Sequence, residues 1–376
     1  MKLLLISSVT LLFSGAVSHS TCSDTGTRAC QEYTIPVNVT SQVFIPSYPR
    51  FKDNFDVVDF FSALGGRASF IPFSGTKNVT AAYSIGATIC SPRGSTRKEK
   101  TLLLASHGLG YDRRYWDSGV EAANYSFVDF AVSQGYSVFF YDRLGTGKSS
   151  MVSGYDVPQS TTQLAILQQL TSLLRNGNYT GAFGKPSKLV HIGHSYGSQL
   201  SNGLIATTPG LSDGAILTGL SYGVTSGSFL KEWGFRIAEL QAPGKWPGRD
   251  NNYVTGVDAC GNAATFFHEN SYSKEIAWYN EDIKQPVATV ELLTFRALPQ
   301  EAPKFTKPLM VITGEFDAAF CDGNCTGVLA PPDSYFPNAT DFQAIVHPAV
   351  GHGINFSYNA TGAYAVMLDY LKKHGL

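Results

Sequence analysis

Short apolar runs alternate with segments whose apolar residues recur at helical spacing, and the alternation becomes regular from about residue 100. Residues 101–106 form a continuous apolar run that leads into His107-Gly108-Leu109-Gly110. Uninterrupted runs of this length predict strands buried on both faces. A helix is predicted over about 115–133, followed by a strand over 136–141 that ends in Asp142-Arg143-Leu144-Gly145-Thr146-Gly147-Lys148-Ser149. Residues 161–175 carry Leu164, Leu167, Leu170 and Leu174 on one helical face. Then come a strand at 188–192, a sharp turn, a helix at 195–206 and a strand at 214–220. Strands at 308–313 and 342–347 and an amphipathic helix at 360–373 close the chain. Two β-rich pieces, 33–39 and 84–90, precede the regular part. This order predicts an α/β fold with a mostly parallel sheet covered on both faces.

The alternation breaks between 222 and 303. That stretch is too long for a loop and reads as an inserted lid or cap. The expected organisation is an N-terminal arm with a first strand (19–79), core segments at 80–221 and 304–376, and the insert between them. Three of the four tryptophans, Trp233, Trp246 and Trp278, fall in the insert. Most of them read as its own core. Any aromatic side chains facing a site would favour an apolar or aromatic substrate.

The N-terminus changes the compartment. Met1-Lys2, a mostly apolar run from Leu3 to Phe13 and Ala16-Val17-Ser18 predict a secretory signal peptide over 1–18. The run is too short to span a bilayer, so a secreted chain without a membrane span is expected. Asn-x-Ser/Thr sequons occur at Asn38, Asn78, Asn124, Asn178, Asn324, Asn338, Asn355 and Asn359, candidate glycosylation sites that fit export. The six cysteines also fit, and short separations favour Cys22–Cys30 and Cys321–Cys325 as disulfides. Zinc at Cys321-x3-Cys325 is the alternative, but no second ligand pair stands at the required spacing, so no metal is expected. Only 15% of residues are charged and the net charge is -1, which gives no electrostatic reason to expect nucleic acid or an anionic membrane.

The chemistry concentrates at Gly193-His194-Ser195-Tyr196-Gly197, a G-x-S-x-G sequence between a predicted strand and a predicted helix. A strand-to-helix turn this tight needs small flanking residues and lifts the serine hydroxyl above the sheet edge. Ser195 is therefore the candidate nucleophile. Base and acid should follow it in the order acid, then histidine. His374 sits at the chain end and His347 lies within a strand before Pro348. His352, in Gly351-His352-Gly353, has the freedom to reach the turn and is the candidate base. Just past the strand at 308–313, Asp317 is the preferred acid, with Glu315 and Asp322 as alternatives. A bridge between Cys321 and Cys325 would stiffen the loop that carries the acid. The backbone N–H of Tyr196 and, from the loop after residue 106, that of Leu109 are the expected oxyanion donors. His107 reads as a brace for that loop and Arg143 as a turn contact.

Together, His107-Gly108, Asp142-x-x-Gly145-x-Gly147-x-Ser149, Gly193-x-Ser195-x-Gly197, Gly314-x-x-Asp317 and Gly351-His352 resemble the α/β-hydrolase superfamily over roughly residues 80–375. The stretches 106–118 and 141–149 look most similar to secreted fungal members. The resemblance implies an eight-stranded sheet, a serine triad and no cofactor, and leaves the substrate open. Rival motifs fail. A P-loop ending in Gly147-Lys148-Ser149 would need glycine where Asp142 stands, and a dinucleotide fingerprint from Gly108 would need glycine where Arg113 stands. The expected activity is cleavage of a carboxylic ester of an apolar or aromatic small molecule or a lipid. Acyl transfer or cyclisation, lactone or thioester hydrolysis, and peptidase or amidase action are the alternatives within the chemistry. A binding role on an inactive scaffold is the alternative outside it.

Overall fold

The structure is a computed structural model that describes residues 26, 28–64, 70–94, 100–223 and 227–376. The expected signal peptide and Cys22 lie outside the described residues. Eight strands form one sheet: β1 (Arg28–Pro46), β2 (Phe73–Pro92), β3 (Thr101–Ser106), β4 (Ser137–Tyr141), β5 (Lys188–His194), β6 (Gly214–Thr218), β10 (Leu309–Gly314) and β11 (Phe342–His347). Three short strands, β7 (Arg236–Ile237), β8 (Tyr253–Thr255) and β9 (Val287–Ala288), pair antiparallel in a second sheet.

The large sheet has the order β1-β2-β4-β3-β5-β6-β10-β11. Only β2 runs against the others, pairing antiparallel with both β1 and β4. Every residue of β3, β4, β6 and β10 is buried, which explains their unbroken apolar runs. From β3 the chain first steps outward to β4, then returns to β5 on the other side of β3. The loops leaving β3 and β5 therefore part in opposite directions and leave a crevice beyond their carboxyl ends, the usual ligand position in open α/β sheets.

Three departures from expectation have local causes. The helix predicted at 115–133 is broken into a 3₁₀ turn, Arg113–Tyr115, and helices Ala122–Tyr125 and Phe127–Ser133. Ser126 restarts the last of these by accepting the Asp129 N–H. The two early β pieces are parts of much longer strands, with the unforeseen helix Asn54–Leu64 between them. Only residues 87–90 of β2 reach β4, so the rest of the β1–β2 pair extends as a ribbon. It lies against helix Ser160–Arg175, where Ser41 Oγ meets Thr162 Oγ1 at 3.0 Å. The third departure is covalent. Cys30 is bonded to Cys90 rather than to Cys22, because the β1–β2 register sets Cys30 directly opposite Cys90. Cys321–Cys325 is bonded as expected.

Between β6 and β10 the chain builds short helices around the small second sheet. Trp246 packs with Tyr253 in a minor apolar cluster, while Trp278 stands 66% exposed. Trp233 is buried, with its ring over Gly110, where a Cβ would come within 2.6 Å of it.

Candidate active site

Ser195 ends the turn from β5 into helix Tyr196–Thr207 with φ 54° and ψ −117°, a backbone conformation that L-residues avoid. The flanking glycines make it attainable. A Cβ on Gly193 would lie 2.4 Å from Ser198 Cα, and one on Gly197 would lie 2.1 Å from the Ser106 carbonyl oxygen. Gly108 in turn lets the loop after β3 approach, since a Cβ there would stand 3.0 Å from Ser195 Cβ. The Leu109 and Tyr196 backbone N–H groups donate to no acceptor among the described residues.

Asp317 and His352 come from the ends of β10 and β11. Their loops touch because Gly314 has no side chain: a Cβ there would lie 2.2 Å from the Gly351 carbonyl oxygen. His352 Nδ1 lies 2.6 Å from Asp317 Oδ2, and Asp317 Oδ1 accepts the Phe320 N–H at 2.9 Å. Both side chains are buried. The Cys321–Cys325 bond closes the same loop, and the Cys325 N–H donates to the Glu315 carbonyl. Ser195 Oγ is not hydrogen-bonded to His352 here, but both residues line one cavity of about 320 Å³. Its remaining lining is mainly apolar and includes Leu109, Leu230, Trp233, Phe266, Leu292 and Phe320.

The other candidates sit elsewhere. Glu315 Oε2 accepts the Ala349 N–H and so holds the turn after β11. Asp322 is exposed, with a left-handed backbone at the end of helix Ala318–Cys321. His347 Nε2 lies 2.9 Å from the Asn359 carbonyl, and His374 pairs with Asp341. Among the sequons, Asn38, Asn78, Asn124, Asn178, Asn324 and Asn338 are exposed and Asn359 is half-buried. Asn355 is a correction: it is buried and its Nδ2 donates to the Tyr115 carbonyl, which leaves no room for a glycan in the folded chain.

Two more histidines surround the site. His107 Nε2 accepts the Arg143 N–H at 3.0 Å, so Nδ1 carries the proton and donates to the Gly108 carbonyl at 2.8 Å. Burial, and then the nearby Arg143 charge, push its pKa well down. His194 stacks on Tyr115 with centroids 4.3 Å apart and lies 4.8 Å from the His352 ring. Burial, followed by the charges of His352 and His107, lowers its pKa well below the usual value. Both rings therefore stay neutral as pH falls, and neither adds a proton-linked step of its own. The acid limb of log kcat/KM against pH should then be no steeper than unit slope. A slope of two would show that His107 or His194 titrates there after all.

Arg143 departs most from its sequence reading as a turn contact. It is 1% exposed, ion-paired with Glu291 from the inserted segment, and set over the Tyr196 ring at 4.5 Å. A lone acid within the apolar stretch 287–293 of a weakly charged chain was the available signal.

A comparison with curated proteins finds no match. Among solved structures, the fold is similar to a thermophilic esterase from Thermogutta terrifontis, at 17% identity and TM-score 0.52 over 78% of this chain and 95% of that one. A carboxylesterase structure from Nitrososphaera gargenis gives 14% identity and TM-score 0.54 over 78% and 96%. An esterase from Exiguobacterium antarcticum gives 14% and 0.51 over 77% and 96%. At such identities the likeness is one of fold. The model of the alpha/beta hydrolase family matches residues 102–363, well over half of the sequence. The chain belongs to the alpha/beta hydrolase family.

Proposed function

We propose that the protein is a secreted serine hydrolase that cleaves carboxylic esters through an acyl-enzyme. The observation that carries this reading is a strained serine that lines one mainly apolar cavity together with a histidine, itself held from behind by a buried carboxylate. Ser195 Oγ attacks the ester carbonyl and passes its proton to His352 Nε2. Asp317 holds the imidazole by Nδ1 and stabilises its charged form. The Leu109 and Tyr196 N–H groups receive the oxyanion. His352 then protonates the departing alcohol oxygen, and water attacks the acyl carbon by the same route in reverse. A hydrogen bond between serine and base is often long before substrate binds, so its absence here fits the scheme.

The cavity supports an apolar or aromatic acyl group, with Trp233 and Phe266 among its walls. Phe295, Arg296 and Phe320 also border a larger neighbouring cavity of about 740 Å³, which has room for a more polar alcohol portion. Described residues of the inserted segment, Trp233, Phe266 and Leu292 in the first cavity and Pro299 and Glu301 in the second, make it a cap over both. Exposed sequons, the Cys30–Cys90 and Cys321–Cys325 bonds and the N-terminal pattern support secretion. Incubation with a fluorophosphonate probe should label Ser195, and p-nitrophenyl esters graded by acyl length should show turnover that peaks with apolar acyl groups. Folded protein that resists labelling would sink the reading. Labelling without turnover of any ester would move it to acyl transfer.

A further inference from the structure

We infer that Arg143, anchored by Glu291, is a positioning residue for the oxyanion-binding peptide. The inference rests on the proposed roles of Ser195 and Leu109.

The Gly108 carbonyl and the Leu109 N–H belong to one planar peptide unit, so whatever fixes the oxygen also fixes the direction of the N–H. Two donors converge on that oxygen: Arg143 Nη2 at 3.1 Å and His107 Nδ1 at 2.8 Å. His107 is itself held by the Arg143 backbone N–H, so one residue controls both donors. A cationic donor on the carbonyl also polarises the amide and makes its N–H a better partner for negative charge.

The guanidinium has little freedom. Its Nη1 donates to Glu291 Oε1 and, at 2.7 Å, to Gln163 Oε1. Gln163 Nε2 donates to Glu291 Oε1 at 2.8 Å, and Glu291 Oε2 accepts the Ala288 N–H at 3.0 Å. The same guanidinium covers the ring of Tyr196, whose N–H is the second proposed donor. An apolar pair of similar size often stabilises a fold as well as a buried ion pair does. Stability alone therefore gives weak reason for this network, whereas aiming a peptide dipole gives a specific one. Glu291 lies on helix Thr289–Leu293, whose next residues, Leu292 and Leu293, line the cavity. The inserted segment thus supplies both a substrate wall and the anchor of the donor peptide.

The test uses an apolar trifluoromethyl ketone labelled with ¹³C at its carbonyl. Ser195 Oγ adds to that carbon, the C=O π pair moves to oxygen, and the serine proton goes to His352. The hemiketal oxyanion's pKa is then read by ¹³C NMR. In the Arg143→Met/Glu291→Met double variant that pKa should rise by about one unit, a tenfold loss of oxyanion stabilisation. For ester turnover, kcat should fall at least about tenfold with KM within about threefold, since the interaction forms only with the oxyanion. If the double variant does not fold, Glu291→Gln should shift both readouts in the same direction by a smaller amount. An unchanged hemiketal pKa and kcat in a folded variant overturns the inference. Failure of the wild-type protein to form the adduct overturns instead the assignment of Ser195.

Discussion

Ser195→Ala should lower kcat for the best ester by about 10⁴- to 10⁶-fold, because a nucleophile and its base act as a unit and little survives the loss of either. Ser195→Gly should be equally inactive, yet the two variants should differ in stability. Ser195 sits at φ 54°, ψ −117°, where a Cβ is penalised and glycine is not. Strain of this kind costs about 1–3 kcal/mol and is held by its surroundings. Here those surroundings are identifiable: the Ser195 N–H donates to the Thr218 carbonyl at 2.9 Å, and the Ser195 carbonyl accepts the Ser198 and Gln199 N–H groups. The glycine variant should therefore unfold at a higher denaturant concentration than the alanine variant, by about 1 kcal/mol in free energy. Equal or reversed midpoints would show that the elbow is unstrained. Retained turnover in either variant would remove Ser195 from the chemistry.

Legibility in the sequence followed the range of the interactions. Buried strands announce themselves through continuous apolar runs, so β3 to β6 and β10 were readable to within one or two residues, and the half-buried edge strand β11 was placed as well. The turn at Ser195 was readable because its glycines answer to contacts with neighbours a few residues away and with the adjacent strand. Asp317 and His352 could be proposed from chain order, and the distance between them was visible only once β10 and β11 lay side by side. Pairings that depend on register were not readable. Cys30 meets Cys90 across 60 residues only because β1 and β2 pair along their whole length. Arg143 and Glu291 are 148 residues apart, and neither lies in a motif that names its partner. The broken helix at 113–133 was hidden for another reason: Ser126 caps a new helix inside a run whose apolar spacing looks continuous.

Asp317→Asn should lower kcat by about 10⁴-fold, whereas Glu315→Gln should change it by no more than a few-fold. The contrast follows from hydrogen-bond polarity. The Asp317 carboxylate accepts at both oxygens, from the Phe320 N–H at Oδ1 and from His352 Nδ1 at Oδ2. Asparagine offers one acceptor and one donor in the same space. If its oxygen keeps the Phe320 N–H, its NH₂ faces His352 Nδ1 and makes that nitrogen an acceptor. The ring proton then moves to Nε2, where a proton from Ser195 can no longer be taken. The comparable change in a serine protease triad costs about 10⁴ for this reason. Rotating the amide puts the NH₂ against the Phe320 N–H, which strands two donors in a buried loop. Glu315 has no such conflict. Its Oε2 accepts a single bond, from the Ala349 N–H, and a glutamine oxygen can do the same. Rates of fluorophosphonate labelling should follow kcat in both variants, because labelling needs the same proton transfer but no leaving alcohol. If Asp317→Asn keeps its labelling rate and Glu315→Gln loses it, the acid is Glu315, and the 2.6 Å contact between Asp317 and His352 serves only to pack the loop.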